Sequence, residues 1–208
     1  MKILIIGAAG NVGRLLIGQA LAAGHEVTAF VRNAAVFQPP DEKVRVIQGD
    51  VLVPETLGEA MKGQEVVLGG ISAKPGKTTV YSHGASNLIA AMEQHGVRRL
   101  IWITSAAVDE EDLAHLGFIY GRIIEPLFLK DIYEDMRLSE KTLSQSQTEW
   151  VIIRPTALTD DPYTGAYRIG TWHVPHKGKE IGRAEVADFM LKQLTETNYL
   201  RKAAVLAY

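Results

Sequence analysis

The chain contains no cysteine, which removes disulfides, thiolate catalysis and cysteine-ligated zinc from consideration. Long apolar runs are missing as well: no stretch approaches the roughly 18 uninterrupted apolar residues of a membrane-spanning helix. The opening "MKILIIGAAG" carries one Lys and an apolar run that stops at glycine, too short for a signal-peptide core. The expected location is therefore the cytoplasm. Neither sign of charge dominates, with 22 Lys plus Arg against 24 Asp plus Glu and a net charge of −2. That balance argues against a nucleic-acid or anionic-membrane footprint, while local basic pockets stay open. There is no internal repeat, linker or low-complexity stretch.

What is present suits one folded domain. The 208 residues are 47% hydrophobic and 22% charged, ordinary soluble-globular usage. A chain of that length buries roughly 70% of its unfolded surface and needs no covalent staple. Short apolar runs alternate with longer stretches of helical spacing. Strands are expected at residues 2–6, 25–32, 43–50, 65–72, 98–108, 149–155 and 202–208. Helices are expected at 11–23, 54–61, 80–94, 127–147 and 183–195, with 106–126 and 155–182 irregular. Strict alternation of strand and helix implies a doubly wound α/β domain, a parallel sheet with helices on both faces.

The first strand runs into "GAAGNVGR", with Gly7, Gly10 and Gly13 spaced three apart and Arg14 following. Three glycines alone are weak evidence, but these follow a buried strand and open a helix at the start of a βαβ unit. Gly7 would permit the tight turn, Gly10 the approach of a pyrophosphate, and Gly13 close helix–strand packing. Ala9, Asn11 and Val12 complete the loop, and the helix N-terminus offers unpaired N–H groups to phosphate. This is the dinucleotide-binding pattern of a Rossmann fold; the plainer alternative is a generic βα turn.

The second strand decides between dinucleotides. It ends "TAFVRN", placing Arg32 where an NAD-preferring site carries an acid for the ribose 2′-hydroxyl. A guanidinium matches a 2′-phosphate in charge and geometry, with Arg14 and Asn33 as helpers, so NADP is the expected cofactor. A solvated surface charge is the other reading of Arg32. "QGDV" closes the third strand and would set Asp50 and Val51 beside the adenine; Asp50 equally suits a helix cap before Pro54.

Over nearly its whole length the chain resembles the atypical short-chain dehydrogenases, and among them the biliverdin-IXβ reductase (flavin reductase) type. The resemblance rests on "GAAGNVG", "FVRN", "QGDV", "HGASNLIAAMEQHGV", "TSA", "EKTLSQSQTEWVIIRP" and "DDPYTGAY". It implies NADPH-dependent hydride transfer to a flat conjugated acceptor such as a flavin or linear tetrapyrrole. It also implies that Gly70, Ile71, Lys74, Ser105, Pro155 and Thr156 line the cofactor. Two departures stand out. Ordinary members pair a Tyr with a Lys four residues later, whereas Arg137 lies four residues before Lys141 and Tyr133 eight before it. Ala157 stands where the resembling reductase carries a His, which weakens the implication of a tetrapyrrole.

Flavin or quinone reduction needs a hydride delivered face to face, with the proton available from solvent, so the protein chiefly binds and orients. Ser105, at the carboxyl end of the fifth strand, is a candidate to hydrogen-bond nicotinamide or acceptor; capping backbone is its alternative. Lys141 would bond the nicotinamide ribose or a substrate carboxylate, or be a solvated helix charge. The segment 106–126 is a candidate flap in which Phe118 and Tyr120 stack on a planar ligand or pack in the core. His173 and His176 in "WHVPH" lack a metal-ligand spacing, and no metal is expected. Three readings compete. They are a reductase of small-molecule flavin or quinone acceptors, a non-catalytic NADP sensor, and a nucleotide-sugar epimerase or dehydratase. The last is disfavoured by the roughly 50 residues after the sixth strand, too few for a separate substrate domain. The chain is expected as a monomer or homodimer.

Overall fold

The computed structural model describes residues 1–109, 111 and 129–208. Strand β1 (Lys2–Ile6) leads through the glycine loop into α1 (Asn11–Ala22), then β2 (Glu26–Val31) and β3 (Arg45–Gln48). A 3₁₀ turn at Pro54–Thr56 runs into α2 (Leu57–Met61), followed by β4 (Val66–Gly69), α3 (Ser82–His95) and β5 (Arg99–Ile103). After a second 3₁₀ turn at Ala106–Val108 come α4 (Lys130–Gln145) and β6 (Glu149–Pro155). The chain ends with β7 (Ala157–Thr159), β8 (Arg168–Thr171), β9 (Glu180–Gly182), α5 (Arg183–Lys192) and β10 (Ala203–Ala207).

Eight strands form one sheet in the order β3-β2-β1-β4-β5-β6-β10-β8. Every pairing in it is parallel except β10 with the edge strand β8. The chain winds outward from β1 to β3 and then returns to start again at β4 on the other side of β1. A crevice therefore opens where β1 and β4 part, at the carboxyl ends of the strands, the place where such sheets bind ligands.

Both faces of the sheet are buried, which is why the strands read as unbroken apolar runs. Leu4 and Ile6 of β1, with Leu100 and Trp102 of β5, pack beneath α2, α3 and α4. The intervening Ile3, Ile5, Ile101 and Ile103 pack on the opposite side beneath α1 and α5. Alternate side chains thus feed two separate cores, the two-residue period of a strand. Among the described residues no helix is long and apolar enough to cross a membrane.

The doubly wound α/β expectation holds, with two corrections. Residues 155–182 are not irregular throughout: they hold β7, β8 and β9, the first and last pairing in parallel as a separate two-stranded ladder. The sheet is not wholly parallel, since β8 runs against β10. These strands are three or four residues long, β7 and β8 mostly exposed, so they carry no hydrophobic period to read. The candidate flap with Phe118 and Tyr120 falls largely outside the described residues.

Candidate functional site

The glycine loop forms a tight turn closed by Gly10 N donating to Gly7 O at 2.9 Å. Gly7 has φ +78°, and a Cβ there would collide with the Gly70 carbonyl. Gly13 is buried in the first turn of α1, where a Cβ would strike Gly7 O and the Ala8 backbone. Two of the three glycines are therefore required by contact rather than tolerated. The N-terminus of α1 has no side-chain cap and no acid in its first turn, leaving its N–H groups and positive dipole end for an outside anion.

Two clefts meet at this loop. The smaller, about 130 Å³, is bordered by Gly7, Ala9, Gly10, Arg32, Asp50, Val51, Gly70 and Ile71. The larger, about 670 Å³, crosses the carboxyl ends of β4, β5 and β6 and takes in Asn11, Val12, Ser105, Pro155 and Thr156. Gly10, Gly70, Ile71 and Ser72 border both, so the two are halves of one elongated site.

Arg32 is exposed at the end of β2 and makes no hydrogen bond or ion pair with a described residue. Arg14 is occupied: Nη1 donates to Gln38 O at 3.2 Å and the guanidinium lies 5.2 Å from the Phe37 ring centre. It braces the loop that follows Arg32. Asn33 Oδ1 accepts from Ala35 N at 3.1 Å, outside either cleft. Asp50 Oδ1 accepts from Leu52 N at 2.9 Å, a local turn rather than a cap, since the turn at Pro54–Thr56 has no side-chain cap.

Ser105 begins the 3₁₀ turn after β5, its Oγ accepting from Ala107 N at 3.2 Å. It caps backbone and also borders the larger cleft, and its hydroxyl proton is not used by that bond. Thr156 spends its hydroxyl on Leu206 O at 3.0 Å, so it offers the cleft shape rather than a donor. Lys74 and Lys141 are exposed and border neither cleft. The buried face of α4 instead presents Ile132, Tyr133 and Met136 to the larger cleft.

Sequence reasoning passed over two features. Tyr81, 3% exposed, lines the larger cleft and donates through its hydroxyl to Ile71 O at 3.3 Å. Burial pushes its phenol up to about 12, so it stays a neutral donor at physiological pH. Asp135 fixes this residue: its carboxylate accepts from Tyr81 N at 2.8 Å, from Ser82 N at 3.2 Å and from the Ser82 hydroxyl. The second feature is a buried ion pair below Ser105. Glu140 Oε2 takes Arg154 Nη2 at 2.6 Å, and Oε1 takes both Arg154 Nε at 3.1 Å and Thr104 Oγ1 at 2.6 Å. A charge inside the apolar run "EWVIIRP" was the signal for it, because a buried Arg demands a buried partner.

This glycine loop on a doubly wound sheet defines a dinucleotide-binding protein. A family model for NAD(P)H-binding proteins matches residues 7–197, and the chain belongs to that family. It is 29% identical over 208 residues to the uncharacterized protein YwnB of Bacillus subtilis, an alignment covering 96% of this chain and 93% of that one. A short-chain dehydrogenase/reductase of Veillonella parvula, solved in complex with NADP, superposes with TM-score 0.85 at 20% identity. The match covers 100% of this chain and 94% of that one. ChuY, an anaerobillin reductase from Escherichia coli, superposes with TM-score 0.78 at 20% identity, covering 100% and 97%. At those identities the two structures establish a shared fold.

Proposed function

We propose that the protein is an NADPH-dependent reductase of a planar conjugated acceptor such as a flavin or quinone. The observation that carries this reading is the pair of joined clefts, one lined by the glycine loop, Arg32 and Asp50, the other open, apolar-walled and floored by Ser105. The residues fit the cofactor: uncapped N–H groups at α1 for the diphosphate, Asp50 and Val51 beside the adenine, and the unpaired Arg32 for a 2′-phosphate. Bound NADPH supplies a hydride. The chain's own part is to hold the acceptor ring against the site with Ile132, Met136 and Tyr133 while Ser105 offers a hydrogen bond. The seven motifs shared with the biliverdin-IXβ reductase type support the same acceptor class.

A second reading has one observation in its favour. Lys141 lies outside the cleft, so among the described residues no Tyr–Lys pair of the ordinary dehydrogenase type converges on the site, as suits a cofactor sensor. One assay separates the two: oxidation of NADPH and NADH followed with and without free flavins, quinones and biliverdin. Acceptor-dependent oxidation preferring NADPH is the expected result, with Ser105→Ala lowering the rate about tenfold, the scale of one charge-orienting hydrogen bond. Confirmed NADP binding without oxidation of any acceptor overturns the reductase and leaves the sensor.

A further inference from the structure

Ala157 and Leu158 of β7 border the larger cleft, and in the small β7–β9 ladder they pair with Glu180 and Ile181. Lys179 immediately precedes β9, its carbonyl accepting from Ala157 N at 3.2 Å, and Arg183 immediately follows β9. Both border the cleft beside Ala157 and Leu158, and no carboxylate is among the described residues that line it. Arg183 is partly neutralised, Nη1 donating to Asp160 Oδ1 at 2.8 Å. Lys179 is exposed and makes no side-chain hydrogen bond or ion pair with a described residue. The cleft lining thus includes one cation with no partner among the described residues, a second that is partly neutralised, and the apolar Ala157 and Leu158.

We propose that Lys179, supported by Arg183, is an anion subsite that selects acceptors bearing a phosphate or carboxylate beyond the planar ring. The inference rests on the reductase reading and adds the charge class of its substrate. The other anion in reach is the cofactor diphosphate. The α1 N-terminus already answers that group, and Lys179 does not border the nucleotide cleft; its neighbours are Ala157 and Leu158 in the acceptor half.

Riboflavin and FMN present the same ring and differ by one phosphate, so they isolate the subsite. With NADP⁺ saturating, flavin-fluorescence titration should show FMN binding several-fold to about tenfold more tightly, the scale of one charged hydrogen bond at an exposed site. Lys179→Met should draw FMN affinity down to that of riboflavin, and Asp160→Asn, by freeing Arg183, should widen the preference. Added salt should narrow it. Equal binding of the two flavins, or binding of neither, overturns the subsite. So does a Lys179→Met loss shared by NADP⁺ and both flavins, which would assign the cation to the cofactor. Turnover is read separately. FMN-selective binding without NADPH oxidation removes the reductase and keeps the subsite, whereas oxidation with both flavins bound equally does the reverse.

Discussion

Glu140 of α4 and Arg154 of β6 meet in a two-point ion pair, 2.6 and 3.1 Å, with both side chains almost wholly removed from solvent. The pair ties together segments that border the larger cleft. Glu140 holds Thr104, the residue before Ser105, at 2.6 Å. Arg154 Nη1 donates to Trp172 O at 3.1 Å and lies 3.7 Å from Asp109 Oδ2, and its guanidinium lies 5.7 Å from the centre of the Trp172 ring. Trp172 has φ +72°, a conformation a bulky residue holds only when its surroundings impose it. The carbonyl bond from Arg154 is one such constraint.

Removing one member of this pair leaves a buried charge without its partner. Glu140→Gln or Arg154→Met should therefore cost about 3–5 kcal/mol in denaturant unfolding, whereas the double replacement by apolar residues should cost less than either single change. A single replacement costing under about 1 kcal/mol, the scale of an exposed pair, would show that the network adds little to the fold.

Helix α1 contains a matched pair of glycines for testing the loop. A Cβ at Gly13 meets the Gly7 carbonyl and the Ala8 backbone, while one at Gly18, on the exposed side, meets nothing within 4 Å. Gly18→Ala should stabilise the protein by about 0.5–1 kcal/mol, since Ala surpasses Gly inside a helix by that amount. Gly13→Ala should destabilise it and weaken dinucleotide binding at least tenfold, by forcing helix and strand apart. Thermal unfolding with and without NADP⁺ reads both effects; similar behaviour of the two variants would remove the packing role from Gly13.

The parts of this molecule legible in the sequence are those where one physical signal was strong. β1, β5 and β6 are buried on both faces and read as apolar runs, and the glycine loop stands between a strand and a helix in both sequence and structure. Lys141 was picked by its place in a family pattern. The burial of α4 follows Ile132, Tyr133, Met136, Glu140 and Leu143, and that face excludes Lys141. Tyr81, Lys179 and Arg183 reach the cleft through a helix start and a two-stranded ladder. Those placements depend on long-range packing, so no local period announced them.

Tyr81 gives an alkaline signature. Its phenol titrates near 12 in the folded protein, chiefly through burial, against 10 when exposed. Folded and unfolded chains bind the same proton below pH 10, so its contribution to stability is complete there. Between pH 10 and 12 the unfolded chain releases the proton first, and stability falls by an amount on the order of 2 kcal/mol. Tyr81→Phe should flatten that fall in chemical denaturation at pH 9 to 12, within the range about 12 sets. An unchanged alkaline slope would mean that another group sets it; Tyr167, also raised to about 12 by burial, is the first to replace.

Arg32 borders the nucleotide cleft and is paired with no described residue, so its charge is available to a 2′-phosphate. NADH lacks that phosphate, which makes the two cofactors a control for each other. Arg32→Glu replaces attraction with repulsion at one point and should raise the dissociation constant of NADPH by a hundredfold or more. One charged hydrogen bond accounts for roughly tenfold of this and the reversed charge for the rest. NADH should change by about threefold or less, because its hydroxyl can bond to the introduced carboxylate, as in sites that carry an acid at this position. Parallel titrations of both cofactors by their fluorescence measure the ratio. Equal weakening of NADPH and NADH would place Arg32 in the stability of the loop, where Arg14 and Phe37 already act, and would withdraw the 2′-phosphate assignment.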